Sequence, residues 1–224
     1  MSTVAFVPIK FNSTRLKDKN ILPFGMTGHE RPLLEYIFDI LLKVRNLDGI
    51  YCYCSDESVK QYLPEGVSYL KRDSYLDGHK VSSNDLLYYF ANDVEADNYV
   101  LTHATNPLIK PETIEAIVDA VVNKGYDSSM TVQRIQDLMW IEGKPNFDPS
   151  NAPLTQDIKP VLKETYGAIC LKRNLIIKER RRAGYNPCFV EVSDFEAVDI
   201  NTEEDFEFAS EVYSFLNSIC AVQE

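Results

Sequence analysis

Val4-Ala5-Phe6-Val7-Pro8-Ile9-Lys10-Phe11-Asn12-Ser13-Thr14-Arg15-Leu16-Lys17-Asp18-Lys19-Asn20 changes character at Ile9. The first six residues are apolar and β-prone, the signature of a strand. The residues after them have no helical or strand periodicity. Four cations, Lys10, Arg15, Lys17 and Lys19, are spaced there by Asn12, Ser13, Thr14 and Asn20. A strand that opens into a basic, hydroxyl-rich loop is how α/β proteins build an anion site, because ligands in such folds lie beyond the carboxyl ends of the strands. The loop has neither G-x-G-x-x-G nor G-x-x-x-x-G-K-[ST], so dinucleotide oxidoreductases and P-loop enzymes are disfavoured.

Outward from this stretch the chain alternates. Apolar residues from Leu33 to Val44 recur at helical spacing, and the strand Ile50 to Cys54 follows. Ser55-Asp56-Glu57 caps a short helix through Tyr62 and precedes a strand at Val67 to Leu70. Ser82 and Ser83 lead into a helix with Leu86 to Phe90, then comes a strand at Asn98 to Thr102. Pro111-Glu112 opens a helix that Gly125 stops, and Ser129 to Val132 reads as the next strand. From about 139 the residues are rich in Pro, Asn and Asp, an excursion rather than another βα unit. Val190 to Val192 and Ala197 to Ile200 read as short strands, and Thr202 to Ser218 as a closing helix. The expectation is one α/β domain over 1–224 with a mainly parallel sheet, helices on both faces, and an inserted substrate or dimerisation element at about 139–165.

Composition narrows the function. Of 224 residues, 45% are hydrophobic and 25% charged, which fits a globular chain rather than a disordered one. Lys+Arg 23 against Asp+Glu 34 leaves a net charge of −11, a field that repels nucleic acid while permitting a local cationic pocket. No apolar run reaches the roughly 18 residues of a membrane span, and the opening reads as a strand rather than a secretory leader. Five cysteines, with Cys52 and Cys54 on one strand face and no C-x2-C pair, read as reduced, mostly buried thiols in a cytoplasmic protein.

The loop after the first strand resembles the nucleotide-binding signature of the CMP-sugar synthetases, P-A-R-x-x-S-x-R-L-x-x-K in ketodeoxyoctulosonate enzymes and P-A-R-G-G-S-x-x-x-x-x-K-N in acylneuraminate ones. Five further blocks follow in family order. Ser55-Asp56-Glu57 is similar to S-T-D-x-E, and Arg72 through Leu76 to Ser82-Ser83 to R-P-x-x-L-A-x-D-x-A-S-S. Leu101-Thr102-His103-Ala104-Thr105-Asn106-Pro107-Leu108 is similar to L-L-Q-P-T-S-P-L, Tyr166-Gly167-Ala168-Ile169 to N-G-A-I-Y, and Val198-Asp199-Ile200-Asn201-Thr202-Glu203-Glu204-Asp205 to I-D-I-D-T-x-x-D. The balance of these blocks leans to the acylneuraminate side.

The resemblance implies a Rossmann-like nucleotidyltransferase fold, a homodimer, and transfer of CMP from CTP to an acidic sugar with Mg²⁺. It puts Lys10, Arg15 and Lys19 on the triphosphate with Asp199 as a catalytic partner. Pro8, Ile9, Ser13, Asn20, Arg72, Ser82 and Ser83 fall to the nucleotide, and His103, Thr105, Gln156 and Tyr166 to the sugar. Asp199 and Asn201 fall to the metal. Three departures stand out. Asn201 replaces the second acid of the metal pair, and His103 replaces a glutamine. No arginine lies near Gln156 to take the sugar carboxylate, leaving Lys159, Lys163 or Arg180-Arg181-Arg182 as substitutes. Structural alternatives accompany several residues: Arg72 as a surface cation beside Asp73, Ser82 and Asn201 as helix caps, and the arginine run as a solvated helix face. The departures also keep alive a nucleotidyltransferase with another nucleotide or a non-sugar acceptor, and an impaired nucleotide-binding regulator.

Overall fold

The computed structural model describes residues 1–221. Seven strands make the central sheet: β1 (Thr3–Ile9), β2 (Gly49–Cys54), β3 (Val67–Lys71), β4 (Asn98–Thr102), β5 (Ser128–Ile135), β6 (Val161–Lys172) and β7 (Pro187–Glu191). Their order is β7-β5-β6-β4-β1-β2-β3. β6 runs antiparallel to both its neighbours, and every other pairing in the sheet is parallel. The helices are α1 (Leu33–Leu41), α2 (Ser83–Asp93), α3 (Pro111–Val122), α4 (Arg173–Glu179) and α5 (Glu203–Ala221).

The period of two along β1 divides the core, since successive side chains point to opposite faces. Ala5, Val7 and Ile9 pack with Ile37, Phe38 and Leu41 of α1 and with Ile114, Ile117 and Val121 of α3. Val4 and Phe6 pack on the other face with Leu87, Phe90 and Ala91 of α2 and Ile176 of α4. There Phe6 stacks on Phe90 with ring centroids 4.0 Å apart. A third cluster, Phe24, Leu33, Tyr36, Ile200 and Ala209, docks α5 against the head of α1, with Leu16 of the basic loop packed on it. The loop after β1 is therefore tethered by a half-buried apolar anchor, Leu16.

Three features depart from the sequence reading. Val161–Lys172 is a long strand where none was expected. Its first half is mostly exposed and its second half buried, so neither alternation nor a continuous apolar run marks it. The central sheet accordingly resumes at Val161, inside the stretch assigned to the inserted element. Ala197–Ile200 is not a strand, although its residues are β-prone. The backbone N–H groups of Ala197 and Val198 donate to Ser193 and Phe195, and that of Ile200 donates to Thr105 at 2.9 Å, so no ladder forms. The arginine run does not lie on a helix face, because α4 ends at Glu179 and Arg180 takes a left-handed conformation (φ 53°) that turns the chain.

Between β5 and β6 the excursion carries a hairpin, Trp140–Ile141 against Lys144–Pro145, and a 3₁₀ turn at Thr155–Asp157. Cys52, Cys54 and Cys170 are buried free thiols and Cys188 is half-buried and free; the side chain of Cys220 lies outside the described residues. Burial pushes the Cys170 thiol up to about 12. No helix among the described residues is long and apolar enough to cross a membrane.

Candidate active site

Strand order reverses between β1 and β4, so the loops after Ile9 and Thr102 part and leave a crevice at the carboxyl edge of the sheet. Two adjoining cavities occupy it. The smaller, about 170 Å³, is walled by the basic loop through Pro8, Lys10, Ser13, Thr14, Arg15, Lys19 and Asn20, with His103, Ala104 and Thr105 opposite. The larger, about 480 Å³, is lined by Arg15, Lys19, Ser83, His103, Thr105, Tyr166, Asp199 and Asn201. Arg15, Lys19, His103 and Thr105 belong to both, so they form the shared wall.

The basic loop is held in shape by its own polar residues. The Asn20 Nδ2 donates to the Lys10 carbonyl at 2.8 Å and closes the loop's base. Lys19 is buried, and its Nζ donates to the Ile200 carbonyl at 2.6 Å. Burial lowers the Lys19 pKa and Arg15 and Lys10 lower it further, while Asp199 and Asp205 oppose them. An anionic ligand in this cavity would offset the repulsion among the three cations.

Arg72 lies beneath the loop rather than on the surface. Its guanidinium side chain is 2% exposed, donates to the Ile9 carbonyl at 2.9 Å, and pairs with Asp77, not Asp73. Asp77 also accepts from the Ser55 hydroxyl, so the Ser55-Asp56-Glu57 block and Arg72 meet on one carboxylate. Asp77 carries this network and was not singled out from sequence. Ser82 caps α2 in a capping box with Asp85, accepting from the Asp85 N–H at 3.2 Å and donating to its carboxylate at 2.7 Å. Ser83, one residue on, lines the larger cavity.

Asp199 is set by the segment that failed to form a strand. The Asn106 Nδ2 donates to the Val198 carbonyl at 3.0 Å, the Ile200 N–H donates to Thr105, and the Ile200 carbonyl accepts from Lys19. Asp199 is thus braced from both the β4 loop and the basic loop. Asn201 does not cap α5. Thr202 and Asp205 do so reciprocally, and the Asn201 Nδ2 instead donates to Asp199 Oδ2 at 2.6 Å. Burial would raise the Asp205 pKa, but N–H groups of Thr202 and Asn201 hold it below the usual range.

His103 sits on the shared wall. Burial pushes its pKa down to about 4; Asp199 pulls the other way, while Arg182 and Lys19 add to the depression. The imidazole is neutral at physiological pH. Tyr166 lines the larger cavity from a bulge in β6 and has φ 57°, a conformation a bulky side chain rarely takes. Gln156 is exposed in the 3₁₀ turn, and the structure does not bring it to either cavity; its backbone carbonyl accepts from Gln136. Among the described residues no group of three or more His, Cys, Asp or Glu could hold a metal by itself.

The 3-deoxy-manno-octulosonate cytidylyltransferase of Escherichia coli is 23% identical over 120 residues, which span 53% of this chain and 45% of that relative. Among solved structures, a CMP:2-keto-3-deoxy-manno-octonic acid synthetase complexed with CTP superposes with a TM-score of 0.70 at 17% identity, covering 100% of both chains. The 4-diphosphocytidyl-2C-methyl-D-erythritol synthase of Anaerococcus prevotii gives 0.64 at 13% identity, covering 96% of each. At such identities the structures show the same fold. A family model described as cytidylyltransferase matches residues 4–215, and the chain belongs to that family.

Proposed function

We propose that this chain transfers CMP from CTP to an acidic sugar of the nonulosonate or ketodeoxyoctulosonate type, releasing pyrophosphate, as a Mg²⁺-dependent cytoplasmic homodimer. One observation carries the reading. The cationic cavity and the cavity holding Asp199 share a wall, so a nucleotide in the first meets an acceptor in the second at Arg15, Lys19, His103 and Thr105. Phosphoryl transfer asks a protein chiefly for positioning and charge stabilisation, and these cavities offer both.

Lys10, Arg15 and Lys19 hold the triphosphate and neutralise charge on the departing pyrophosphate. Ser13 and Asn20 add neutral donors, while Pro8 and Ile9 set the backbone above the strand end. Arg72 acts from below by fixing the Ile9 carbonyl, and Ser83 faces the ligand where Ser82 is committed to its helix. The acceptor hydroxyl oxygen forms a bond to the α-phosphorus as the α–β bridging P–O bond breaks, and the hydroxyl proton leaves to solvent with the departing pyrophosphate. His103, neutral and on the shared wall, hydrogen-bonds the acceptor, with Thr105 and Tyr166 bounding it.

The donor set fits Mg²⁺. Asp199 would hold the ion by its carboxylate and Asn201 by its amide oxygen, two hard donors, once the Asn201 amide turned its nitrogen away from Asp199. When bound, the ion would neutralise charge on the phosphate oxygens. Buried free thiols suit a reducing compartment.

Pyrophosphate release is the test, measured with CTP, UTP, ATP and GTP against a panel of acidic sugars, neutral sugars and polyols. Release with CTP and an acidic sugar, dependent on Mg²⁺, is the expected result. Release only with another nucleotide or a polyol would move the chain to a different nucleotidyltransferase class. The Asn201 bond to Asp199 favours a second reading, a nucleotide-binding regulator; CTP binding with no release from any acceptor would establish it.

A further inference from the structure

The turn after β4 brings one side chain beneath two walls of the larger cavity at once. Asn106 is wholly buried, and its backbone is fixed on both sides: its N–H donates to the His103 carbonyl at 3.2 Å, and its carbonyl accepts from the Ile109 N–H at 3.4 Å. The amide then reaches two other elements. Its Nδ2 donates to the Val198 carbonyl at 3.0 Å and to the Thr165 carbonyl at 3.4 Å. Those carbonyls directly precede Asp199 and Tyr166, which line the larger cavity from separate parts of the chain. A primary amide has two N–H hydrogens, and both are used here. Turning the amide over would set its oxygen against two carbonyl oxygens, so the network fixes its orientation. The Oδ1 is left buried with no partner, which is unfavourable, so the position is held by what its nitrogen does.

The bulge at Tyr166 shows what that nitrogen holds. Register between β5 and β6 slips between Glu164 and Ile169. Within the slip the carbonyls on either side of Tyr166 accept from side chains of the β4 end, Thr165 from Asn106 and Gly167 from the Thr102 hydroxyl at 2.6 Å. The Thr165 hydroxyl bonds that of Thr131, and the Ala168 N–H donates to the Thr131 hydroxyl at 3.1 Å. A Cβ at Gly167 would stand 3.1 Å from the same hydroxyl, so the glycine permits the close approach. Tyr166 is thereby kept at φ 57° on the cavity wall, a strained conformation that persists because its surroundings impose it. Asp199 is held from the same nitrogen on the other side, and the Ile200 N–H donates to Thr105, the residue before Asn106.

We propose that Asn106 is a positioning residue, a single amide that sets the Asp199 carboxylate and the Tyr166 wall at a fixed separation across the larger cavity. The proposal rests on the function proposed above and adds a residue that lines neither cavity. Reaction rate depends steeply on such placement, and a shift of about 1 Å from a change away from the chemistry costs on the order of 100-fold. The nucleotide side is held by the basic loop, which Asn106 does not touch through its amide. Lys19 still bonds the Ile200 carbonyl, so loss of Asn106 leaves Asp199 one brace and lowers turnover without abolishing it.

Steady-state kinetics with CTP and the better of ketodeoxyoctulosonate and N-acetylneuraminate test the rate, and amide hydrogen exchange tests the bridge. N106A should lower kcat at least 20-fold and leave the KM for CTP within twofold. Exchange should quicken at least tenfold at both Ile200 and Ala168, whose N–H groups lie on the two bridged segments, and stay unchanged along β1. N106S, with one hydrogen to donate, should fall between N106A and wild type in kcat. An N106A enzyme with wild-type kcat overturns the proposal, as does faster exchange on one segment alone. Exchange quickened equally throughout the chain would make Asn106 a packing residue and overturns it as well. Should N106A not fold by circular dichroism, N106S decides: a kcat lowered threefold or more with the KM for CTP unchanged supports the proposal, and an unchanged kcat overturns it. Wild-type protein that releases no pyrophosphate with any acid overturns the functional reading itself, while the exchange experiment still judges the bridge.

Discussion

Asn201 shows how one side chain can alter the metal site proposed above. As an amide it donates to Asp199 and holds that carboxylate in place without a cation. In the N201D variant two carboxylates would face each other with no proton between them. We expect N201D to lower the melting temperature in the absence of Mg²⁺ and recover it on titration with the ion, with Mg²⁺ binding tighter than wild type. A melting temperature indifferent to Mg²⁺ would place the ion elsewhere. D199N should remove most turnover with the fold intact, and a fully active D199N enzyme would remove Asp199 from the chemistry. His103 gives a second test at this scale. Its folded pKa of about 4 lies below the unfolded value near 6.5, so between these the unfolded chain binds more protons. The neutral form therefore contributes stability that is present above pH 6.5 and is lost as pH falls through about 4. Wild type should lose about 1 to 2 kcal/mol more than H103Q between pH 7 and pH 5 in urea unfolding, counting this group alone. Parallel losses in both proteins would show that His103 is not the group responsible. Single residues were unevenly legible. The cations of the basic loop were marked by position and type, whereas the burial of Arg72 depends on Asp77, whose link to it appears only once both turns are folded.

At the level of elements, legibility followed local physics. α4 was not read and β7 runs Pro187–Glu191 where Val190 to Val192 was expected, whereas β1 to β5 with α1, α2 and α3 carry periodicity, caps and stops in consecutive residues and formed where those signals lay. β6 did not, because its two halves obey different rules and the bulge at Tyr166 interrupts the alternation. Ala197–Ile200 failed in the opposite sense, with strand-forming residues whose hydrogen bonds go to loops. The bulge itself can be tested. A left-handed conformation costs an L-residue roughly 1 to 2 kcal/mol and glycine almost nothing. Y166G and Y166A both lose the ring, but only Y166A keeps the strain, so Y166G should be the more stable by about 1 kcal/mol in urea titrations. Equal stabilities would mean that the backbone at this position relaxes. The Ser82 cap is a control on α2: S82A should cost about 1 kcal/mol of stability. A tenfold loss of CTP affinity in S82A would return Ser82 to the nucleotide site.

The whole molecule would set two opposing terms against each other in forming the homodimer proposed above. A net charge of −11 on each chain resists self-association, and the resistance weakens as salt shortens the Debye length, from about 30 Å at 0.01 M to about 8 Å at 0.15 M. Against it stands apolar surface on the excursion, where Trp140 is 63% exposed, Ile141 52%, Leu154 64% and Leu138 43%. Trp140 packs edge-on to Phe147 and little else of the ring is covered, so the excursion offers a preformed apolar face rather than part of the core. Burial of such a face contributes about 25 cal/mol per Å², a term that salt does not weaken. The homodimer proposed here should therefore tighten as salt rises, the reverse of an assembly held by ion pairs. W140E should shift the population to monomer in sedimentation experiments while changing the melting temperature of the monomer little, because the indole is mostly in solvent. A chain that sediments as a monomer at tens of micromolar in both low and high salt would remove the dimer, and a W140E variant that remains dimeric would move its interface off the excursion.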